Sequence, residues 1–432
     1  MKKRDFIKGL LLIIGLTLVS CSAGKNTGTV SPTKNLKAAL DKPYVILISL
    51  DGFRWDYVEK YKPPHLSNFI DMGVKAESLI PSFPSKTFPN HYTIATGMYP
   101  DNHGLLGNSF YSTQKKLKYS IGNREMVEDG TFYGGSPIWV QAAKAGMVTA
   151  SYFFVGSEAN IQGMHPTYYF KYDGATKNET RVAQVLDWLA MPAKKRPHMI
   201  TMYFSDMDDV GHRFSPDNDA LLEQALMDLD EQLGVLFEGV AATGLPVNML
   251  IVSDHGMATL ETTNFIALED ITNDSLFLAT NNGALVNIYP RENISTDTVF
   301  QYLKEKEASF KVYPTESTPE FEYTPTNKDW GPIQVIPDIG YYFSSQKRME
   351  AVRKNNIKMV GVHGYDPKLK DMHGIFYGKG PAFKNGAVIP AVKNIHIYPL
   401  MCEILGLPIP EDIDGNLQQM KPLLVHVEEQ KY

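Results

Sequence analysis

The sequence predicts an α/β protein with a central, mostly parallel sheet flanked by helices and a small α/β insertion. Three observations carry this reading. Residues 44–50 (YVILISL), 199–204 (MITMYF) and 247–252 (VNMLIV) are continuous apolar, β-rich runs, the pattern of strands buried on both faces of a parallel sheet. Each run leads into acidic residues, at Asp51, at Asp206 and Asp208, and at Asp254, and open α/β sheets place their ligands at the carboxyl ends of strands. Helical stretches separate the runs. A chain of 432 residues suits one large domain with insertions, or two domains.

Composition sets the bounds. Hydrophobic residues make up 43% and charged residues 21%, which is ordinary for a globular protein. The formal net charge is -6, with no long basic run in the folded part, which argues against a nucleic-acid polymer as the main partner. Two cysteines, Cys21 and Cys402, make no disulfide framework. The expected role for Cys402 is a lone buried thiol.

The first residues read as a targeting leader. Lys2, Lys3 and Arg4 precede an apolar stretch over 9–19, too short for a membrane span. It ends in Leu18-Val19-Ser20-Cys21, which resembles a bacterial lipobox. That resemblance implies a lipoprotein signal peptide over 1–20, cleavage before Cys21 and lipidation of its thiol. The alternative is an ordinary secretory signal with an incidental cysteine. The lipobox implies attachment to the membrane of the bacterial cell envelope, at the outer membrane on its periplasmic or surface face. Residues 22–41 are rich in Ser, Thr, Gly, Lys and Asn and read as a flexible tether, so 21–41 joins anchor to domain. The folded domain is expected over 42–425.

Along that domain, 44–50 is the first buried strand. Thr87 lies just before Pro89 in PSFPSKTFPNHYTIATGMYPDNHG, residues 81–104, where a short helix can begin and Gly97 can end it. A hydroxyl there lies among free N–H donors that favour an anion, although a Thr before Pro also reads simply as a cap. A glycine-rich loop over 103–108 carries Asn108, whose amide could reach a site. Residues 136–145 read as a helix, 148–154 as a strand, 156–174 as an aromatic loop and 181–189 as a helix. After the strand at 199–204, Asp208 and His212 stand four apart, close enough to meet one metal. Ser215 then caps a helix with Pro216 at its first position and an apolar stripe of Leu222, Leu226, Leu229, Leu233 and Leu236. Asp254 and His255 follow the strand at 247–252, and Gly256 allows a sharp turn that lets both converge. The small insertion is expected at about 283–345, with strands at 284–289, 310–313 and 334–342 and a helix at 296–308. Residues 375–377 read as a last central strand, and 395–405 as a C-terminal helix closed by Gly406.

The polar residues at these strand ends and loops are Asp51, Asp208, His212, Asp254, His255 and His363. Carboxylates and imidazoles in this mixture are zinc-type ligands. Two zinc ions about 4 Å apart can clamp both the attacking and the departing oxygen of a phosphoryl transfer. Thr87 could supply the hydroxyl nucleophile, activated by metal coordination.

Five segments in this order, SLDGFRWDY from Ser49, the 81–104 stretch, DDVGH from Asp208, SDHGM from Ser253 and GVHGYD from Gly361, make the chain resemble the nucleotide pyrophosphatase/phosphodiesterase family (type I phosphodiesterases) of the alkaline phosphatase superfamily. The resemblance covers about 42–415 and implies an alkaline-phosphatase-like sandwich. It implies that Thr87 is a nucleophile forming a phosphothreonine-type intermediate. Asp51, Asp254 and His255 with Thr87 would bind one zinc, and Asp208, His212 and His363 a second. His373 competes with His363 for the last place, but the His-Gly-Tyr-Asp segment matches better. Asn108 and the Thr87 N–H would hold a phosphoryl oxygen, while Phe88 and Tyr203 would sandwich a nucleobase or serve as ordinary wall aromatics. The implied function is two-metal hydrolysis of extracytoplasmic nucleotide phosphodiesters or pyrophosphates to nucleoside 5′-monophosphates. Glycerophosphodiesters, phosphocholine, phosphonates and monoesters are alternatives on the same machinery, and a non-catalytic ligand-binding lipoprotein is a remote one. There is no CxPxR pattern for a sulfatase, and no Arg-Lys clamp for a dianionic monoester stands near the motifs.

Overall fold

The structure, a computed structural model, describes residues 30–425. The leader over 1–20, Cys21 and the tether up to residue 29 lie outside the described residues. Among the described residues no helix is long and apolar enough to cross a membrane.

The three apolar runs are strands with the expected bounds: β1 (Tyr44–Leu50), β5 (Met199–Phe204) and β6 (Val247–Val252). They join β2 (Val74–Ala76), β3 (Thr149–Tyr152), β4 (Tyr168–Phe170), β11 (Phe376–Lys379) and β12 (Val388–Ile389) in one eight-stranded sheet. Its order is β12-β2-β11-β6-β1-β5-β3-β4. The strands from β6 to β4 run parallel, and β11 is antiparallel to both neighbours. Successive residues of β1 alternate between two cores. Val45 and Leu47 face helices α2 (Thr87–Thr96), α3 (Ile138–Lys144) and α8 (Ile397–Leu405). Tyr44, Ile46, Ile48 and Leu50 face α1 (Pro64–Asp71), α4 (Asn178–Ala190) and α6 (Asp219–Ala242), including the five-leucine stripe of α6. A mostly apolar strand is favoured because both faces are covered, and its one polar residue, Ser49, has a hydrogen-bond partner in His91. Cys402 is buried on α8, where burial pushes its thiol up to about 12, as expected of an inert structural cysteine.

The insertion is a second sheet, order β7-β8-β10-β9, of β7 (Phe277–Asn281), β8 (Val286–Pro290), β9 (Phe310–Pro314) and β10 (Ile333–Pro337), all antiparallel. Helix α7 (Thr296–Lys304) packs on it. This sheet begins before residue 283, at β7. The expected strand at 334–342 is broken, because a turn at Asp338–Tyr341 separates β10 from the short strand Tyr342–Ser344.

Other local expectations are corrected. The aromatic segment 156–174 contains the edge strand β4, which pairs parallel with β3. Tyr168 and Tyr169 are half-buried and Phe170 is exposed, so no long apolar run marks it. Ser215 ends the helix α5 (Asp206–Phe214), and it is Asn218 that caps α6 through the Leu221 N–H. The end of the tether is also docked. Asn35 donates to the carbonyls of Ala193 and Arg196 and accepts from the Val148 N–H. A polar composition therefore conceals a segment whose amide satisfies three backbone groups of the domain.

A strap over 318–330 crosses from the insertion to the 81–104 segment. Asp101 anchors it, accepting from the N–H groups of Thr326 and Asn327 and from Trp330 Nε1. Phe321 packs edge-on against Phe83 at 5.0 Å, and Glu322 Oε2 accepts the Phe83 N–H at 3.4 Å. Burial pushes the Glu322 carboxyl up from 4.5 to about 7, with Lys393 opposing. The folded value lies above the unfolded one, so this group's contribution is present below about pH 4.5 and is lost as pH rises through about 7. Glu322→Gln keeps the acceptor and is expected to stabilise the protein by about 1 kcal/mol at pH 8 and by little at pH 5. Urea titrations at the two pH values test this, and an equal effect at both would contradict it.

Candidate active site

Parallel pairing creates the site. Ser49 of β1 lies opposite Val252 of β6 and Tyr203 of β5, so the carboxyl ends of the three strands lie side by side. Asp51 follows β1, Asp254 and His255 follow β6, and β5 runs into α5. There the four-residue spacing puts Asp208 and His212 on one helix face. His363 arrives from outside the main sheet, just past the strand Met359–Val362, which pairs with Ala258–Glu261. Gly52, at φ +64°, lets this corner close, since a Cβ there would lie 2.9 Å from the Asp208 Cα. Gly256 serves by close approach and not by a left-handed turn, because a Cβ would lie 2.1 Å from the Asp371 carbonyl oxygen.

Two triads result, Asp51-Asp254-His255 and Asp208-His212-His363, each with its ligand atoms within 4.8 Å of one another. His255 Nε2 lies 3.0 Å from Asp254 Oδ2 and 3.5 Å from Asp51 Oδ1. Asp208 Oδ1 lies 3.3 Å from His212 Nε2 and 4.0 Å from His363 Nε2. The donor set fits divalent cations on two counts. Asp51 Oδ1, Asp208 Oδ1 and Asp254 Oδ2 are buried without a hydrogen-bond partner, a costly arrangement for carboxylates unless a cation faces them. Each imidazole also points Nδ1 at a backbone carbonyl: His212 at Gly361 (2.8 Å), His255 at Gly256 (2.8 Å) and His363 at Ser85 (2.9 Å). Those contacts place the proton on Nδ1 and leave each Nε2 lone pair free to ligate. His373 has neither nitrogen free, since Nδ1 meets Ser78 Oγ and Nε2 meets the Pro367 carbonyl, both at 2.9 Å.

The electrostatics match. Burial, then the charges of Asp254 and Asp208, push Asp51 well above the usual carboxylate range, and burial raises Asp208. Burial acts on Asp254 in the same direction, but His255 and His91 overcome it and hold that carboxyl well below the usual range. His363 is driven well below its ordinary value by burial, then by His255 and Lys86.

Thr87 is the first residue of α2 and not its cap. Lys86 holds the cap position, and no side chain caps the helix. Thr87 Oγ1 lies 3.3 Å from His255 Nε2, beside the first triad. Asn108 Oδ1 accepts the Phe88 N–H at 3.0 Å. Thr87, Phe88, Asn108, Tyr203, Asp208, His212 and His363 line one cavity of about 370 Å³. Tyr203 reaches it with its hydroxyl committed, donating to Asp51 Oδ2 at 2.5 Å, a contact that carries no mark in the sequence.

Three further residues stand at or near the site. Tyr172 lines the same cavity, its ring 6.0 Å from that of Tyr203. Arg124 lines it too, paired with Glu158 and Glu128, so a cation does stand near the motifs. It comes from a helix, Arg124–Glu128, that no spacing rule connects to them. Lys86 is buried, with Nζ 2.5 Å from the Tyr342 hydroxyl.

Comparison with known proteins gives a consistent picture. The family model described as Type I phosphodiesterase / nucleotide pyrophosphatase matches residues 45–366. Human ectonucleotide pyrophosphatase/phosphodiesterase family member 5 is 30% identical over 369 residues, covering 85% of this chain and 75% of that protein. Mouse family member 1 is 31% identical over 406 residues, covering 91% of this chain and 44% of that protein. The chain thus spans less than half the length of the mouse relative. A solved structure of mouse family member 5, an inactive threonine-to-alanine variant in complex with AMP, superposes with a TM-score of 0.81 at 29% identity, covering 89% of this chain and all of that one.

Proposed function

The chain belongs to the type I phosphodiesterase/nucleotide pyrophosphatase family, with the alkaline-phosphatase-like fold of that family, and from that premise we propose that it is a zinc-dependent hydrolase of nucleotide phosphodiesters and pyrophosphates, releasing nucleoside 5′-monophosphates. The observation that carries this reading is the pair of triads with three unpartnered carboxylate oxygens and three free Nε2 atoms beside Thr87. Asp51, Asp254, His255 and Thr87 would hold one zinc, and Asp208, His212 and His363 the other. When bound, the two ions would lower the pKa of the attacking hydroxyl and neutralise charge developing on the phosphoryl oxygens.

The chain's own groups supply the rest. Thr87 Oγ1 attacks phosphorus in line, the P–O bond to the leaving group breaks and that group departs with the proton lost from the hydroxyl, giving a phosphothreonine-type diester in which the nucleotide is joined to Thr87. Asn108 Nδ2–H and the Thr87 N–H donate to a non-bridging oxygen as charge builds there. Water then cleaves the bond between phosphorus and Thr87 Oγ1, which releases the nucleoside 5′-monophosphate and restores the Thr87 hydroxyl. Phe88 and Tyr203 would flank a nucleobase, with Tyr172 beside them in the same cavity. The AMP complex of the mouse relative supports a nucleotide as substrate, and its inactivation by a threonine-to-alanine change supports a threonine nucleophile. Phosphocholine esters are the second reading, because a pocket lined by Phe88, Tyr172 and Tyr203 could also cage a quaternary ammonium. Arg124 in the same wall weighs against a cationic head group.

Hydrolysis of p-nitrophenyl thymidine 5′-monophosphate, p-nitrophenylphosphocholine and p-nitrophenyl phosphate, each with added zinc and after chelation, tests the reading. Preference for the nucleotide ester is expected. Preference for phosphocholine or the monoester would move the substrate class, and zinc binding without turnover of any of them would favour a non-catalytic ligand-binding protein.

The same reading puts the catalytic domain outside the cytoplasm, held at the envelope membrane by lipid on Cys21. Cells fed labelled palmitate are expected to label the wild type and not Cys21→Ser. Equal labelling of the two would remove the anchor from the proposal.

A further inference from the structure

His91 takes no part in the proposed chemistry, yet its ring is fully buried against the site. It stands four residues after Thr87 on α2, so the two share a helix face. Nδ1 lies 2.9 Å from the Thr87 carbonyl oxygen and 3.2 Å from Asp254 Oδ2. Both neighbours are acceptors, so Nδ1 carries the proton: it donates to the Thr87 carbonyl, and Asp254 Oδ2 lies beside it at ion-pair distance. Nε2 lies 2.8 Å from Ser49 Oγ on β1, two residues before Asp51, and the serine hydroxyl donates to it. Phe154 and Tyr203 pack edge-on against the ring, each at 5.3 Å, which fixes its plane.

Asp254 needs such a partner. Its Oδ1 accepts from the Gly52 N–H at 3.2 Å, with Ser253 Oγ at 3.4 Å. Its Oδ2 faces His255 Nε2 at 3.0 Å, and the His91 Nδ1–H, 3.2 Å away, is a second imidazole group beside it. One imidazole thus touches the backbone of the nucleophile residue, a carboxylate of the first triad and the strand that carries Asp51.

We infer that His91 is a positioning residue that locks Asp254 Oδ2 and the first turn of α2 into one register, so that Thr87 and the first metal site are aligned before substrate arrives. The inference rests on the proposed two-metal reading for the identity of the ligand. Outer-shell donors of this kind orient carboxylate ligands, and their loss costs about 10–100-fold in metal affinity or activity.

Two amides separate positioning from simple core filling. His91→Asn puts a donor where Nδ1 stands, whereas His91→Gln puts one near Nε2 and leaves no N–H beside Asp254 Oδ2 and the Thr87 carbonyl. Both remove the ring. Zinc affinity is measured on the full-length protein by competition with a chelating dye, without substrate. His91→Gln is expected to weaken one of the two zinc sites about 10–100-fold and to lower kcat with little change in KM. His91→Asn is expected to stay within about threefold of wild type. Equal loss in both variants, or no loss in His91→Gln, would overturn the inference. A second measurement needs no variant: long-range 1H–15N spectra of the histidine-labelled wild type should find the His91 proton on Nδ1, and a proton on Nε2 alone would overturn it. Wild type that binds zinc in two sites but turns over no phosphorus ester would refute the proposed activity and leave this inference standing.

Discussion

Thr87→Ala is expected to lower kcat at least about 10^4-fold, the scale on which nucleophile removal acts in covalent catalysis, while leaving the fold and the zinc content nearly intact. The reason lies in what the hydroxyl touches. Among the described residues Thr87 Oγ1 has one side-chain hydrogen-bond partner, His255 Nε2 at 3.3 Å, and it does not cap α2. A capping threonine would cost about 1 kcal/mol of stability on truncation. A hydroxyl held only for chemistry should cost about 0.5 kcal/mol or less. Steady-state kinetics on p-nitrophenyl thymidine 5′-monophosphate and a urea titration read the two quantities separately. Undiminished turnover would refute the nucleophile assignment. A large stability loss with modest loss of turnover would return Thr87 to a structural role.

Metal removal is expected to have the second largest effect, abolishing hydrolysis until zinc is restored and lowering the melting temperature. A ligand at 1,000 times its Kd stabilises the native state by about 4 kcal/mol per site. The pH dependence follows from the carboxylates. Asp51 and Asp208 have raised folded values, chiefly from burial. In metal-free protein their contribution is therefore present below the ordinary carboxylate range and is lost as pH rises through the raised values. Asp254, depressed by His255 and His91 against the effect of burial, acts oppositely: its contribution is present above the ordinary range and lost as pH falls. Zinc binds the ionised forms, so the stabilisation that it brings should widen as pH rises through the range in which Asp51 and Asp208 ionise. Melting curves with zinc and with chelator between pH 5 and pH 8 test this. A gap that narrows with rising pH would show that these carboxylates do not hold the metal.

Much of the fold was legible because its strands are covered on both faces. Burial on both sides favours apolar residues along the whole strand, and 44–50, 199–204 and 247–252 are apolar but for one hydrogen-bonded polar residue each, Ser49, Thr201 and Asn248. The candidate ligands were legible for a related reason. A parallel sheet gathers its carboxyl ends at one edge, so acidic residues and histidines just past each run meet in space. Where one face is only half covered the signal fades, as at Tyr168–Phe170. Where a polar side chain finds a specific partner, composition misleads, as at Asn35.

By itself the sequence determined the three central buried strands, their order along the chain, and a set of seven polar residues suited to two-metal phosphoryl chemistry. Only the tertiary structure decided how those residues are held. The Nδ1 contacts of His212, His255 and His363 end on carbonyls of Gly361, Gly256 and Ser85, in two cases far away along the chain. The same holds for Tyr203 on Asp51, His91 on Asp254 and Arg124 at the cavity wall. Patterns of period and spacing record which face of an element is buried. They carry no record of which backbone oxygen a distant loop will present, because that is fixed only when the packed elements bring the two together.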